Sequence, residues 1–245
     1  MKLFVLAIGV HPDDVELSCS GTLINEVRKG NAVGVVDLTR GELGTRGTIE
    51  TRAAEAAKAA AVMGLSAREN LGMRDGFFRN DEEHQMQVIR AIRKYQPEVI
   101  LANILDDRHP DHGRAGKLIT ESAFLAGLSK IETVDERGEP QQRWRPKQVL
   151  HYIQDRFYEP DLVIDISDVF EQRMEAIKAY ATQFHVGPAS TQGTQTYISS
   201  SAFMESLVSR ARLMGKRIGV DFAEGFVTQK NIGIRSLQDL VLIET

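Results

Sequence analysis

Two apolar runs in this chain each break off on a short motif of imidazoles and carboxylates. Leu3 to Val10 leads straight into His11-Pro12-Asp13-Asp14-Val15-Glu16, and Val99 to Leu105 comes shortly before His109-Pro110-Asp111-His112. An apolar run of this length, bounded by polar residues and rich in Val, Ile and Leu, reads as a buried strand. Each motif therefore falls where a strand gives way to a loop or helix. In parallel α/β folds, sites form at the carboxyl ends of strands. Neighbouring parallel strands can bring both motifs to one spot, and that requirement limits the folds open to the chain.

The rest of the sequence alternates in the way such a fold needs. Strands are predicted over Leu3 to Val10, Ala32 to Leu38, Asn70 to Met73, Glu98 to Leu105, Val149 to Gln154 and Leu162 to Ile166. Helices are predicted over Glu16 to Lys29, Glu50 to Met63, Glu82 to Tyr95, His112 to Leu128, Phe170 to Thr182 and Ser201 to Met214. Gly30 and Gly64 close the first two helices, and Pro97 ends the third. The pattern predicts an α/β, Rossmann-like three-layer fold with a mainly parallel sheet, as a single domain over residues 1–245. Thr39 to Thr48 is a polar, Gly-rich loop. Glu132 to Arg145 reads as a surface insertion, and Phe184 to Ser201, rich in Gly, Ser, Thr and Gln, as a loop over the site.

Bulk properties exclude some partners. The formal charge is −4, which argues against a nucleic-acid binder relying on positive charge. No stretch reaches the roughly 18 apolar residues of a membrane span, so no membrane partner is expected. The first apolar run is broken by His11 and Asp13, unlike a signal sequence. Cys19 is the only cysteine, and it reads as a small core residue. With no internal disulfide possible, a cytoplasmic protein is expected.

The two motifs permit metal chemistry. At a strand-to-helix turn His11 and Asp14 can converge on one cation, and His112 can supply a third ligand from the other strand end. Three protein ligands leave a position open for water, as in catalytic zinc sites. Asp13 would face the same space and accept a proton from that water. His109 can stabilise an oxyanion or protonate a leaving amine, with Asp111 orienting it. Each residue alone could be a helix cap or surface group; together, behind two strands, they point to a metal-dependent hydrolase. Imidazole ligands suit zinc and iron alike, so Zn2+ is expected with Fe2+ as the alternative.

The motifs resemble those of the LmbE-like (PIG-L) family of zinc-dependent N-acetylglucosaminyl deacetylases. The resemblance extends to Thr39 through Gly47, to Glu50 through Glu55, to Leu71 through Gly76, and to Ser209-Arg210 with Ala223 through Phe226. The length and C-terminal stretch look most like the bacillithiol-biosynthesis branch, which removes acetate from N-acetylglucosaminyl malate. The resemblance implies one zinc per chain on His11, Asp14 and His112. It implies Asp13 as general base, His109 as oxyanion stabiliser or acid with Asp111 in support, and Arg52 holding substrate, in the malate branch through a carboxylate. It also implies a small N-acetyl sugar as substrate and a homo-oligomer, trimeric or hexameric.

Other residues stay open at this stage. Arg46 and Glu42 line the mouth of a site or solvate their loop. His185 touches sugar hydroxyls or is a surface histidine. Arg52 holds substrate or pairs with Glu55 on its own helix. Glu16 is a ligand or a support, and Asp75 a site or turn residue. His84 and His151 read as structural, and Trp144 as a packing or subunit-contact residue. Mycothiol-pathway relatives carry a tyrosine where this chain has Asp107, so a tyrosine-assisted role does not transfer, and Tyr197 is a speculative substitute. The alternatives are the same chemistry on another N-acetyl sugar or thiol-conjugate amide, a dinucleotide-binding oxidoreductase, and a non-catalytic binding module. The oxidoreductase is disfavoured, because Gly9 to Asp14 is no Gly-x-Gly-x-x-Gly turn and its carboxylates would repel a pyrophosphate.

Overall fold

A strand covered on both faces carries apolar residues at consecutive positions, and the first two strands of this chain are largely of that kind. In the computed structural model, which describes residues 1–184 and 194–241, β1 (Val5–Gly9) and β2 (Val33–Thr39) are buried at every position. The elements between and after them are α1 (Asp14–Arg28), α2 (Ile49–Met63), β3 (Ala67–Met73), α3 (Glu82–Tyr95), β4 (Val99–Asn103), α4 (Pro110–Leu125), β5 (Gln148–Tyr152), β6 (Leu162–Asp165), α5 (Phe170–Lys178), α6 (Ser201–Ile218) and β7 (Ala223–Thr228). The strands form one sheet in the order β3-β2-β1-β4-β5-β7-β6. Strands β1 to β5 pair in parallel, and β7 runs antiparallel between β5 and β6. The mainly parallel three-layer fold expected from the sequence is the one observed.

The two-residue period of a strand divides the core. Val5 and Ala7 of β1 pack with Cys19 and Leu23 of α1, Ala59 of α2 and Ile177 of α5. Leu6 and Ile8 pack on the other face with Ile89 of α3 and Leu118 and Ile119 of α4. Trp144 joins this second layer and donates its indole N–H to Pro97 O at 2.7 Å, which makes it a packing residue. His84 and His151 are likewise held within the chain, His84 by Asp81 and His151 by Asn103 O. Among the described residues, no helix is long and apolar enough to cross a membrane.

Chain order places the site. From β1 the chain steps outward through β2 to β3, then returns to lay β4 against the other side of β1. This reversal is the topological switch point where α/β sheets open a crevice. The register sets Ile8 beside Ala102, Ala102 beside His151, and Asn103 beside Tyr152. The carboxyl ends of β1, β4 and β5 are therefore level.

Local differences from the sequence reading have physical causes. Strand β3 starts at Ala67 rather than Asn70; it is an edge strand, and its Arg68 and Glu69 hide the strand pattern. Helix α4 starts at Pro110, since proline suits the first helical position. Helix α6 runs on to Ile218, and α5 stops at Lys178. Strand β7 was not foreseen because Ala223-Glu224-Gly225 is not an apolar run.

Glu224 explains why that strand carries a buried charge. Its carboxylate accepts from Gly21 N at 3.0 Å, from Thr22 N and Thr22 Oγ1 at 2.7 Å, and from Arg173 Nε at 3.0 Å. Leu17 O, four residues before Gly21, accepts from Arg173 and Arg210 Nη2, each at 2.9 Å. Glu224→Gln strips the charge from a pair whose arginine is almost fully buried. The expected loss is about 3–5 kcal/mol of stability, read as a lower urea midpoint at unchanged slope.

Candidate active site

Helix α1 begins without a capping side chain. Its N-cap residue, Asp13, has φ 135° and makes no side-chain cap hydrogen bond. A non-glycine residue at such a φ is strained, and strain of this kind gathers at functional sites. The next residue, Asp14, folds its carboxylate back over the turn, where Oδ2 accepts from Val10 N at 3.1 Å and His11 N at 3.0 Å. Asn103 Nδ2, at the end of β4, donates to the same oxygen at 3.2 Å. The His109-to-His112 turn meets this turn across the crevice. His112 Nε2 lies 3.2 Å from Asp14 Oδ1, and His11 Nδ1 lies 3.6 Å from Asp14 Oδ2.

His11, Asp14 and His112 each present one ligand atom, all within 4.8 Å of one another. The remaining ring nitrogens are tied to carboxylates. His11 Nε2 meets Asp75 Oδ1 at 3.0 Å, and His112 Nδ1 meets Asp107 Oδ2 at 2.6 Å. Carboxylates behind histidine ligands fix tautomer and orientation in metal sites. Two imidazoles and one carboxylate, so backed, fit a zinc-type cation with a position left open.

The electrostatics fit a cation as well. Burial opposes charge on Asp14, but the His112 charge and hydrogen bonds from both histidines hold its carboxyl well below the usual range. Burial lowers the His112 pKa, yet Asp14 and Asp107 outweigh it and push it up to about 9. His11 is likewise raised against its burial by Asp111, Asp14 and Asp75. A divalent cation held here would satisfy the same carboxylates.

Asp13 stands apart from this cluster. Its Oδ2 meets Arg52 Nη2 at 3.2 Å, and burial pushes its carboxyl up to about 7 although the Arg52 charge draws it down. Arg52 is itself buried, donating to Pro12 O at 2.6 Å and Gly41 O at 3.3 Å, while its Nε has no partner among the described residues. It does not pair with Glu55, which instead binds Thr182. Gly41, at φ 64°, makes room for it: a Cβ there would collide with Arg52 Nη1.

His109 stacks on His112, ring centroids 5.0 Å apart, and stands edge-on to His11 at 4.9 Å. Burial and the charges on His11 and His112 lower its pKa. Its Nδ1 accepts from Asp111 N at 3.3 Å, so the neutral ring carries its proton on Nε2. The Asp111 carboxylate accepts from Gly76 N at 2.9 Å and Arg114 Nη1 at 2.8 Å, lies 3.8 Å from His11 Nε2 and comes within 4.8 Å of a His109 ring nitrogen; the hydrogen bond to His109 is made by its backbone N–H.

These residues line a cavity of about 570 Å³, within the range of small-molecule sites. Arg46 is on its wall, held to Thr182 O and Thr194 O, and so is Arg108. Arg108 pairs with Asp155 at 2.7 Å and covers the Tyr197 ring, whose hydroxyl also meets Asp155. His185 lies outside the described residues. Glu16 is a buried support, bonded to Arg68 and Tyr180. Sequence reasoning missed the site roles of Asn103, Asp107, Arg108 and Gln154. Asn103 was visible as a polar residue inside an apolar run, and Gln154 as one closing a run. Asp107 and Arg108 carried no such signal.

Comparison with known proteins agrees with this geometry. The family described as PIG-L, GlcNAc-PI de-N-acetylase, matches residues 6–123. Diacetylchitobiose deacetylase of Thermococcus kodakarensis is 27% identical over 190 residues, covering 74% of this chain and 70% of its own. The Bacillus subtilis (strain 168) protein named "Probable N-acetyl-alpha-D-glucosaminyl L-malate deacetylase 2" is 25% identical over 196 residues, covering 75% and 84%. The crystal structure of the conserved protein TT1542 from Thermus thermophilus superposes with a TM-score of 0.82 at 34% identity, covering 95% of this chain and 97% of that one. With its motifs, its sheet and its crevice all in agreement, the chain belongs to the PIG-L (LmbE-like) deacetylase family.

Proposed function

We propose that this protein is a metal-dependent N-deacetylase that hydrolyses the acetamide of a small N-acetylglucosamine-containing molecule. The observation that carries the reading is a carboxylate outside the ligand cluster but beside it. Asp13, paired with Arg52, adjoins three converging ligands and is not one of them. The deacetylase names of the relatives support the same reaction.

His11, Asp14 and His112 would hold the cation, which when bound polarises a carbonyl and makes a water more acidic. Asp13 accepts a proton from the attacking water as the new C–O bond forms. The Nε2–H of His109 offers a hydrogen bond to the developing oxyanion. The C–N bond then breaks, releasing acetate and the free amine, and the proton taken up by Asp13 passes to the leaving nitrogen. Arg52 is a positioning residue for Asp13, through its charge and its hold on Pro12 O.

The finer reading is zinc as the metal and N-acetylglucosaminyl malate as the substrate. Arg46, Arg52 and Arg108 among the residues lining the cavity suit a substrate bearing carboxylates, since a guanidinium fork binds a carboxylate in two-point fashion. Arg108, about half exposed, is the more accessible partner, whereas Arg52 is committed to the Asp13 turn.

Amine release from N-acetylglucosaminyl malate is expected from the purified protein, to cease on chelation and to return with zinc. Activity indifferent to chelator would remove the metal from the mechanism. Release from other N-acetyl sugars alone would move the substrate while keeping the reaction. Asp13→Asn is expected to lower kcat by about 10²–10⁴-fold with metal stoichiometry unchanged, measured by turnover and elemental analysis of one preparation. Arg108→Ala is expected to raise KM about tenfold, or 1.4 kcal/mol, for the malate-linked substrate and to leave a neutral N-acetyl sugar unaffected.

A further inference from the structure

The third strand end at the crevice delivers a residue that the reading above leaves unused. Gln154 follows β5 by two positions, is almost fully buried and lines the cavity. Its Nε2 lies 3.3 Å from Asp14 Oδ1 and 3.5 Å from His112 Nε2. Its Oε1 accepts from Asn103 Nδ2 at 2.9 Å.

The hydrogen bonds fix which way this amide faces. Asp14 Oδ2 already accepts from the backbone N–H groups of Val10 and His11, so the Asn103 group 3.2 Å from it must be its NH2. The second hydrogen of that NH2 meets Gln154 and requires the Gln154 oxygen there. The Gln154 NH2 is thereby turned to Asp14 and His112. A flipped amide would set oxygen against carboxylate and NH2 against NH2. The backbone is held too, since Gln154 O accepts from Arg210 Nη1 and the next two N–H groups contact Asp107.

Gln154 Nε2 carries two hydrogens. One goes to Asp14 Oδ1. The other faces His112 Nε2 at 3.5 Å, the ligand atom of that ring, which a bound cation would occupy. With the cation bound, this N–H has no acceptor among the described residues, a costly arrangement unless an outside acceptor fills it.

We infer that Gln154 is a catalytic hydrogen-bond donor, its free N–H directed to an oxygen held at the open position of the His11–Asp14–His112 cluster. The acceptor class is a carboxylate or carbonyl oxygen: the amide oxygen of the substrate as it becomes an oxyanion, and afterwards an oxygen of acetate. The inference rests on the metal-dependent reading of the site.

The test uses Gln154→Met, which keeps length and removes both N–H groups, in the Co2+-loaded protein. Acetate is titrated against the visible Co2+ spectrum, and Co2+ affinity is measured by competition with a chromophoric chelator. The expected result is unchanged Co2+ affinity with acetate bound about tenfold more weakly. Turnover should show kcat lowered about 10²-fold with little change in KM. Unchanged acetate binding and kcat would overturn the inference. So would loss of Co2+ itself, which would make Gln154 a ligand. If Gln154→Met does not fold, Gln154→Glu keeps the shape and lacks the donors; it is expected to tighten Co2+ and exclude acetate, and unaltered acetate binding would overturn the inference equally. Should the unsubstituted protein turn over no N-acetyl sugar, the deacetylase reading fails, while the acetate titration still decides the role of Gln154.

Discussion

Carboxylates that have left water must be neutralised where they stand, and this molecule is built around that requirement. Asp13, Asp14, Glu16, Asp37, Asp75, Asp107, Asp111 and Glu224 are all buried. An unpaired charge in such a place costs several kcal/mol. Each has a cation or a set of N–H groups brought to it from a distant element. Arg68 of the edge strand β3 binds Asp37 through two nitrogens, both at 3.0 Å, and also reaches Glu16. Arg173 of α5 serves Glu224, and Arg52 of α2 serves Asp13. The planar guanidinium, with five donors in fixed directions, suits this work better than lysine. Helices on one face of the sheet are thus tied to it by charge as well as by apolar contact.

The same requirement gives the crevice its chemistry. Two histidines lie between carboxylates, each ring held at one nitrogen by an aspartate and turned by the other toward Asp14. Asp13 is treated differently. It sits at a strained φ, lacks the capping bond that its position would normally provide, and has Arg52 as its ion-pair partner. A residue that gives up a helix cap, worth about 1 kcal/mol, keeps its oxygens free for another use.

Much of this was legible in the sequence, and the limits have physical reasons. Parallel strands buried on both faces show as unbroken apolar runs, so β1, β2 and β4 and the motifs behind them stood out. Helices α2 and α3 carried their own stop signals in Gly64 and Pro97. Strand β7 was hidden because it carries the buried Glu224, whose partners lie some two hundred positions earlier in α1. The direction of the Asp111 carboxylate was hidden because Arg114 and Gly76 compete for it. Arg52 could be read as a substrate residue or a surface residue, and burial against the Asp13 turn is a third arrangement that spacing does not reveal. Gln154 was overlooked because a glutamine after a strand matches no motif; only the level ends of β4 and β5 bring it to the cluster.

The position of β7 bears on the order in which the molecule can assemble. Among the described strands, β6 pairs in the sheet with β7 alone, and β7 is the last in the chain. During synthesis, β1 to β5 can find one another while β6 waits for a partner some sixty residues further on. Contacts of such separation form late, because closing the intervening loop costs entropy. The carboxylate that meets Gly21 and Thr22 in the middle of α1 arrives on that same strand. A nascent chain therefore holds both histidine motifs long before the helix behind Asp13 and Asp14 is braced, and the turn that carries them reaches its final rigidity only as the sheet closes.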